Sequence, residues 1–169
     1  MPYTDLLRVT VLLTGAEATA LAAITAVATN RDSDATTLIV AGTWWLIALL
    51  VGLYLGRPAR AADALRDALA QARTATSLPP ETPARIAFAR LWPIALTAIV
   101  AGALGIFFPG VAAVGAGYAL LVSLAWHTRE AAVLAIEQRD GVKFYVVPNS
   151  ALRPIQLVRT PGLRSTPPA

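Results

Sequence analysis

Residues 9–30 read VTVLLTGAEATALAAITAVATN, an apolar run whose single charge, Glu17, stands near its middle. Roughly 20 apolar residues, in a range of about 17–25, let a helix cross the hydrocarbon core of a bilayer. With its flanks the run predicts a membrane-spanning helix over Leu6–Thr29. At about 1.5 Å per residue, Glu17 falls close to the bilayer midplane. A carboxylate at that depth is costly and usually faces the protein interior, a water-filled cavity or a partner.

Three further stretches qualify as spans: Thr36–Gly56, Leu91–Phe108 and 111–127. Only Pro109-Gly110, a turn dipeptide, parts the last two, which predicts a tight helical hairpin. Composition agrees. Charged residues are 14% of the chain and mean hydropathy is +0.60, against about 25% charged residues in a soluble domain. The expected fold class is all-α: a polytopic membrane protein with four transmembrane helices in two hairpins, cytoplasmic helical extensions and a short extended C-terminal tail. Residues 1–141 make the four-helix domain, and 142–169 the basic tail. The first span is not read as a cleaved leader. Asp5 and Arg8 at its start and Glu17 inside it depart from a positive start and an apolar core of about 7–15 residues.

Orientation follows from the distribution of basic residues. Between the first two spans there is only Arg31, beside Asp32 and Asp34. Between the second and third come Arg57, Arg60, Arg66, Arg73, Arg85 and Arg90, and none lies between the third and fourth. After the fourth come Arg129, Arg139, Lys143, Arg153, Arg159 and Arg164. Cytoplasmic loops carry the excess of Lys and Arg, so both termini and the middle segment are expected in the cytoplasm. The abundance of Ala and of Arg over a single Lys suggests a GC-rich genome, and hence a bacterial inner membrane.

The middle segment predicts an amphipathic helix over 59–77, with Ala61, Leu65, Ala68, Leu69 and Ala72 at helical spacing. Thr82 reads as an N-cap with Pro83 at the first helical position, and Pro93 as a kink or tilt. Residues 128–140 extend the fourth helix, with Gly141 as its stop. Val142–Val147 reads as a short strand, and the chain from Pro148 as extended.

Two groups of side chains are candidates for function. The first is an intramembrane polar site: Glu17, with Thr10 and Thr14 within two turns of it, and Tyr118 at similar depth. The second would contact lipid or a partner. It comprises Trp44 and Trp45, too deep for an ordinary aromatic belt, His127 at the membrane interface, and Lys143, Arg153 and Arg159 in the tail. The tail interleaves those charges with Phe144, Tyr145, Ile155, Leu157 and Val158, which suits anionic lipid or addition to a partner's sheet edge.

Exclusions narrow the field. With no cysteine, disulfides, thiolate metal sites and thiol nucleophiles are ruled out. A single histidine, His127, rules out any site needing two. No phosphate-binding Gly-Lys loop, GxSxG or HExxH is present. Asp32 and Asp34 are too few for a calcium site. Topology and lipid explain the net charge, so no nucleic acid, metal or cofactor is expected.

The run Gly141-Val142-Lys143-Phe144-Tyr145-Val146-Val147-Pro148 is followed by Arg153-Pro154-Ile155 and Leu157-Val158-Arg159-Thr160-Pro161-Gly162. It resembles the tail of uncharacterised actinobacterial four-helix membrane proteins, a resemblance that implies no activity.

Two functions from different classes follow. One is a non-catalytic accessory or assembly subunit, docking on a larger membrane protein or on its own copies through helix faces and the basic tail. The other is a small oligomeric transporter or channel that couples a proton or cation to Glu17. One deep acid and one histidine make a poor catalytic set, so a lipid-handling enzyme ranks third.

Overall fold

The computed structural model describes residues 1–31, 35–60, 65, 69, 72–74, 82–149, 151, 153 and 155–161. The chain is mostly helical. Four helices are long and apolar enough to cross a membrane: α1 Tyr3–Arg31, α2 Ala35–Leu55, α3 Pro83–Gly105 and α4 Pro109–Trp126. A short turn leads from α4 into α5, Arg129–Asp140. Among the described residues there are also three strands: β1 Arg73–Thr74, β2 Val142–Val146 and β3 Leu157–Pro161.

Helix α4 is the centre of the bundle and packs on α1, α2 and α3. Its buried positions are small: Ala112, Ala113, Ala116, Gly117 and Ala119. Between apolar helices in lipid, small residues permit the close backbone approach that drives packing. Gly52 of α2 shows how close: a Cβ there would stand 2.8 Å from Leu124 Cβ. The outer faces of α2 and α3 are apolar and exposed, for example Ile39, Val40 and Leu50, and Ile99. Helices α1 and α3 run parallel, with Leu21 and Ile24 of α1 over Gly102 of α3 and Ile24 against Gly105. Extending that register backwards puts Glu17 level with Ala98.

At about 1.5 Å per residue the 29 residues of α1 span about 43 Å, longer than a hydrocarbon core of about 30 Å. Its first turns project beyond the bundle into a second core. There Tyr3, Leu6 and Leu7 are buried with Leu65, Leu69, Ile86, Val133, Phe144, Val146 and Leu157. Strand β2 pairs antiparallel with β3, placing Phe144 opposite Arg159 and Val146 opposite Leu157. Strand β1 adds to the far side of β3 in parallel. The other edge of β2 takes the start of the chain: Pro2 bridges Tyr145, and Val146 N–H donates to the Met1 carbonyl at 3.0 Å.

Several expectations change. The all-α class needs a three-stranded sheet added. The residues after Gly141 do not remain an extended tail: those described pair as β2 and β3 and share a core with α1 and α5. Of the helix expected over 59–77, Ala59, Arg60, Leu65 and Leu69 are helical, but Arg73–Thr74 is strand, and most of the rest lies outside the described residues. The turn after the third span sits at Ile106–Phe108, not at Pro109-Gly110, which open α4 instead. Proline's fixed φ and missing N–H suit a first helical position, so it starts the helix it was expected to separate. Thr82 does precede α3 with Pro83 behind it, yet its hydroxyl makes no capping bond. Helix α3 continues through Pro93. Gly141 stops α5 in the left-handed conformation, φ 64°, and the Glu137 carboxylate accepts the Phe144 N–H just beyond it at 2.9 Å.

Candidate functional site

The intramembrane site is built differently from its sequence expectation. Thr10 and Thr14 are buried, but each hydroxyl donates to a carbonyl of its own helix: Thr10 to Leu6 at 2.8 Å and Thr14 to Thr10 at 2.9 Å. Thr25 and Thr29 do the same one and two turns beyond Leu21. These four threonines face the bundle as a satisfied ladder, a common way for a hydroxyl to sit mid-helix. None of their hydroxyl protons is left over for Glu17. Tyr118 is 58% exposed and sits edge-on to Trp44, ring centroids 5.3 Å apart. That places it on the α2 side of α4. Thr10, Thr14 and Tyr118 therefore do not assemble around Glu17.

Glu17 itself is half-buried on the edge of α1 that flanks α3. Among the described residues no side chain or backbone group hydrogen-bonds its carboxyl. Beside it runs an exposed ridge of small residues, Ala16, Ala20 and Ala23. Farther from the sheet the same seam opens into a shallow apolar cleft of about 370 Å³ between Ala23, Ile24, Val27 and Ala28 of α1 and Ile106, with Arg31 at its end. One seam thus combines a half-buried carboxyl with no partner among the described residues, small residues and, farther along, an apolar hollow.

The tryptophans serve packing inside the chain. Trp45 Nε1 donates to the Ala113 carbonyl at 2.9 Å and Trp44 Nε1 to the Val114 carbonyl at 3.3 Å. Gly117 makes room for Trp44, because a Cβ there would fall inside the indole. His127 is exposed, and its Nδ1 lies against the Leu124 carbonyl. Its neighbour Thr128 donates to the Gly56 carbonyl at 2.6 Å. Thr128 thus ties Gly56, just beyond α2, to the end of α4, while the His127 bond stays within the last turn of α4.

The basic residues of the C-terminal region divide by role. Lys143, Arg153 and Arg159 have exposed side chains on the sheet and its connecting loop. The Arg153 carbonyl, by contrast, is a structural acceptor for Arg90 Nη1 at 2.7 Å. Sequence reasoning missed a cluster where the bundle meets the sheet: Tyr3, Arg90 and Arg129. Both arginines read there as topology signals only. The neighbouring tryptophans at 92 and 126 were the available cue, and Trp126 carries the Arg129 guanidinium 4.4 Å above its ring. Among the described residues no cluster of ligands suits a metal.

No family model, curated protein or solved structure matches the chain.

Proposed function

We propose that the chain is a non-catalytic accessory or assembly subunit of the bacterial inner membrane, with both termini and the sheet in the cytoplasm, and that it engages a membrane partner through the α1–α3 seam. The observation that carries this is Glu17, half-buried with no hydrogen-bond partner among the described residues, in a span where residue counting puts it at mid-depth. A carboxyl group at that depth facing lipid is costly, and a donor from a neighbouring helix removes the cost. The adjacent Ala16, Ala20 and Ala23 ridge supports close approach of such a helix. Because β2 and β3 pair with each other, this reading assigns docking to the seam rather than to the tail. The exposed Lys143, Arg153 and Arg159 then suit anionic lipid at the cytoplasmic surface. That orientation is supported by the positive-inside distribution and by Arg57 and Arg60, both stacked on Tyr54 at the sheet end of α2.

A photocrosslinker at position 20, with a second at position 46 on the outer face of α2, tests the proposal in native membranes. The expected result is one stoichiometric adduct from position 20, none from position 46, and loss of the adduct in Glu17→Leu. An adduct between two copies of this chain makes the partner a homo-oligomer. No adduct, together with a pH-dependent flux in liposomes abolished by Glu17→Gln, replaces this proposal with a proton- or cation-coupled transporter.

A further inference from the structure

The place where the transmembrane bundle meets the sheet holds a group of polar side chains that packing alone does not explain. Tyr3, in the first turn of α1, is only 5% exposed. Its hydroxyl makes no hydrogen bond among the described residues. It lies within electrostatic reach of two guanidinium groups, Arg129 first and Arg90 second. Arg129 stands at the first position of α5, stacked on Trp126. Its Nε is fully buried and has no acceptor among the described residues. Leaving a buried charged donor unsatisfied costs the desolvation of that group, a cost that a bound acceptor removes. Arg90 is anchored from the other side by its bond to the Arg153 carbonyl, so α3, α1 and α5 each bring one member of the group.

We infer that Tyr3, Arg90 and Arg129 hold a phosphate-bearing anion at the sheet end of the bundle. Three properties select phosphate. The guanidinium fork matches its oxygens in charge and geometry. A phenol O–H donates to the same acceptor and adds no competing negative charge. The site also lies beside Trp126, at the end of a spanning helix, where lipid headgroups sit. The phosphate of an anionic lipid headgroup and free inorganic phosphate share this chemistry. The site differs from the exposed Lys143, Arg153 and Arg159 surface, because its groups are recessed and come from three helices.

The experiment is a binding titration of the full chain in uncharged detergent, read by tryptophan fluorescence. The probes are dioctanoyl phosphatidylglycerol, dioctanoylglycerol as the chain-matched probe without phosphate, and inorganic phosphate as competitor. The proposal expects saturable binding of the phosphatidylglycerol and none of the dioctanoylglycerol. Arg129→Gln should weaken binding about tenfold or more and Tyr3→Phe about threefold, on the scale of one charged and one neutral hydrogen bond. Full competition by millimolar inorganic phosphate supports the site with a soluble anion as its ligand. Failure of phosphate to compete supports it with a lipid ligand. Should Arg129→Gln not fold, Arg129→Lys, which keeps the charge and loses the fork, and Tyr3→Phe are read instead. Wild-type affinity in the folded variants, or equal binding of dioctanoylglycerol, overturns the inference.

Discussion

Trp45 Nε1 and the Ala113 carbonyl are 2.9 Å apart, so an indole of α2 is bonded to the backbone of α4 well inside the apolar bundle. In lipid an indole N–H has no water to turn to, and a helix carbonyl can accept a second bond. The contact therefore fixes the azimuth of α2 on α4, which apolar packing alone leaves loose. Trp45→Phe keeps a benzene ring but removes the donor together with the five-membered ring. It should cost about 1 kcal/mol for the hydrogen bond, and more for the lost packing, measured by helix loss on mixed-micelle denaturation. Trp44→Phe should cost less, because its bond to Val114 is longer at 3.3 Å.

The room for Trp44 is supplied by Gly117, where an added Cβ would fall inside the indole. Gly117→Ala must push the ring outward or part the helices. A cost of about 1–3 kcal/mol is expected for such overpacking. Trp44→Leu in the same chain should recover part of it, giving a coupling of about 0.5–3 kcal/mol in a double-mutant cycle. Additive effects would mean that the two positions do not share this space.

That four helices are long and apolar enough to cross a membrane was legible because each rests on a run of apolar residues. Which way a residue faces within the bundle was not. Glu17, Thr14 and Tyr118 were expected at similar depth, but depth follows from counting along one helix, whereas partnership depends on how helices rotate against each other. The threonine ladder shows the second difficulty. A hydroxyl that can bond its own i−4 carbonyl needs no tertiary partner, so its presence near an acid says little. The sheet was half legible. Val142–Val146 had strand composition, but its mate lies beyond a long loop and β1 is only Arg73–Thr74, too short for any pattern.

For Glu17 the expected effects split between the isolated chain and the assembled one. Its carboxyl has no partner among the described residues, so Glu17→Leu should leave the isolated protein as stable or stabilise it by about 1–3 kcal/mol, the cost of a polar group in an apolar setting. Thr10→Val and Thr14→Val should each change stability by less than about 1 kcal/mol, since each removes one bond within a helix. A strong loss of stability in Glu17→Leu alone would show that the carboxyl is satisfied inside the chain after all. The measurement is thermal denaturation of each purified variant in one detergent.

Gly141 ends α5 with φ at 64°. For a residue with a Cβ the left-handed conformation costs roughly 1–2 kcal/mol. Gly141→Ala should lower the stability of the sheet end by about that amount, and Gly141→Asn by less, because asparagine tolerates this conformation. Faster amide exchange at Phe144 and Val146 than at α4 positions would locate the loss in the sheet rather than the bundle.

The pairing of β2 with β3 separates two roles for the C-terminal region that a sequence cannot separate. Leu157 is 6% exposed and packs with Phe144, Val146 and Leu7 in the second core. Leu157→Ala should therefore destabilise the isolated chain by about 2–5 kcal/mol and open β2 to protease. Lys143→Gln with Arg159→Gln touches only exposed side chains, and each change should leave stability within about 0.5 kcal/mol. Each should instead weaken attachment of the sheet face to anionic vesicles by about 1 kcal/mol, or roughly fivefold, with the difference vanishing at high salt. A strand that merely waits for a partner would give the opposite pattern. Leu157→Ala would then be silent in the isolated chain and would appear only as a lost complex. Protease mapping of the two variants side by side in detergent decides between them.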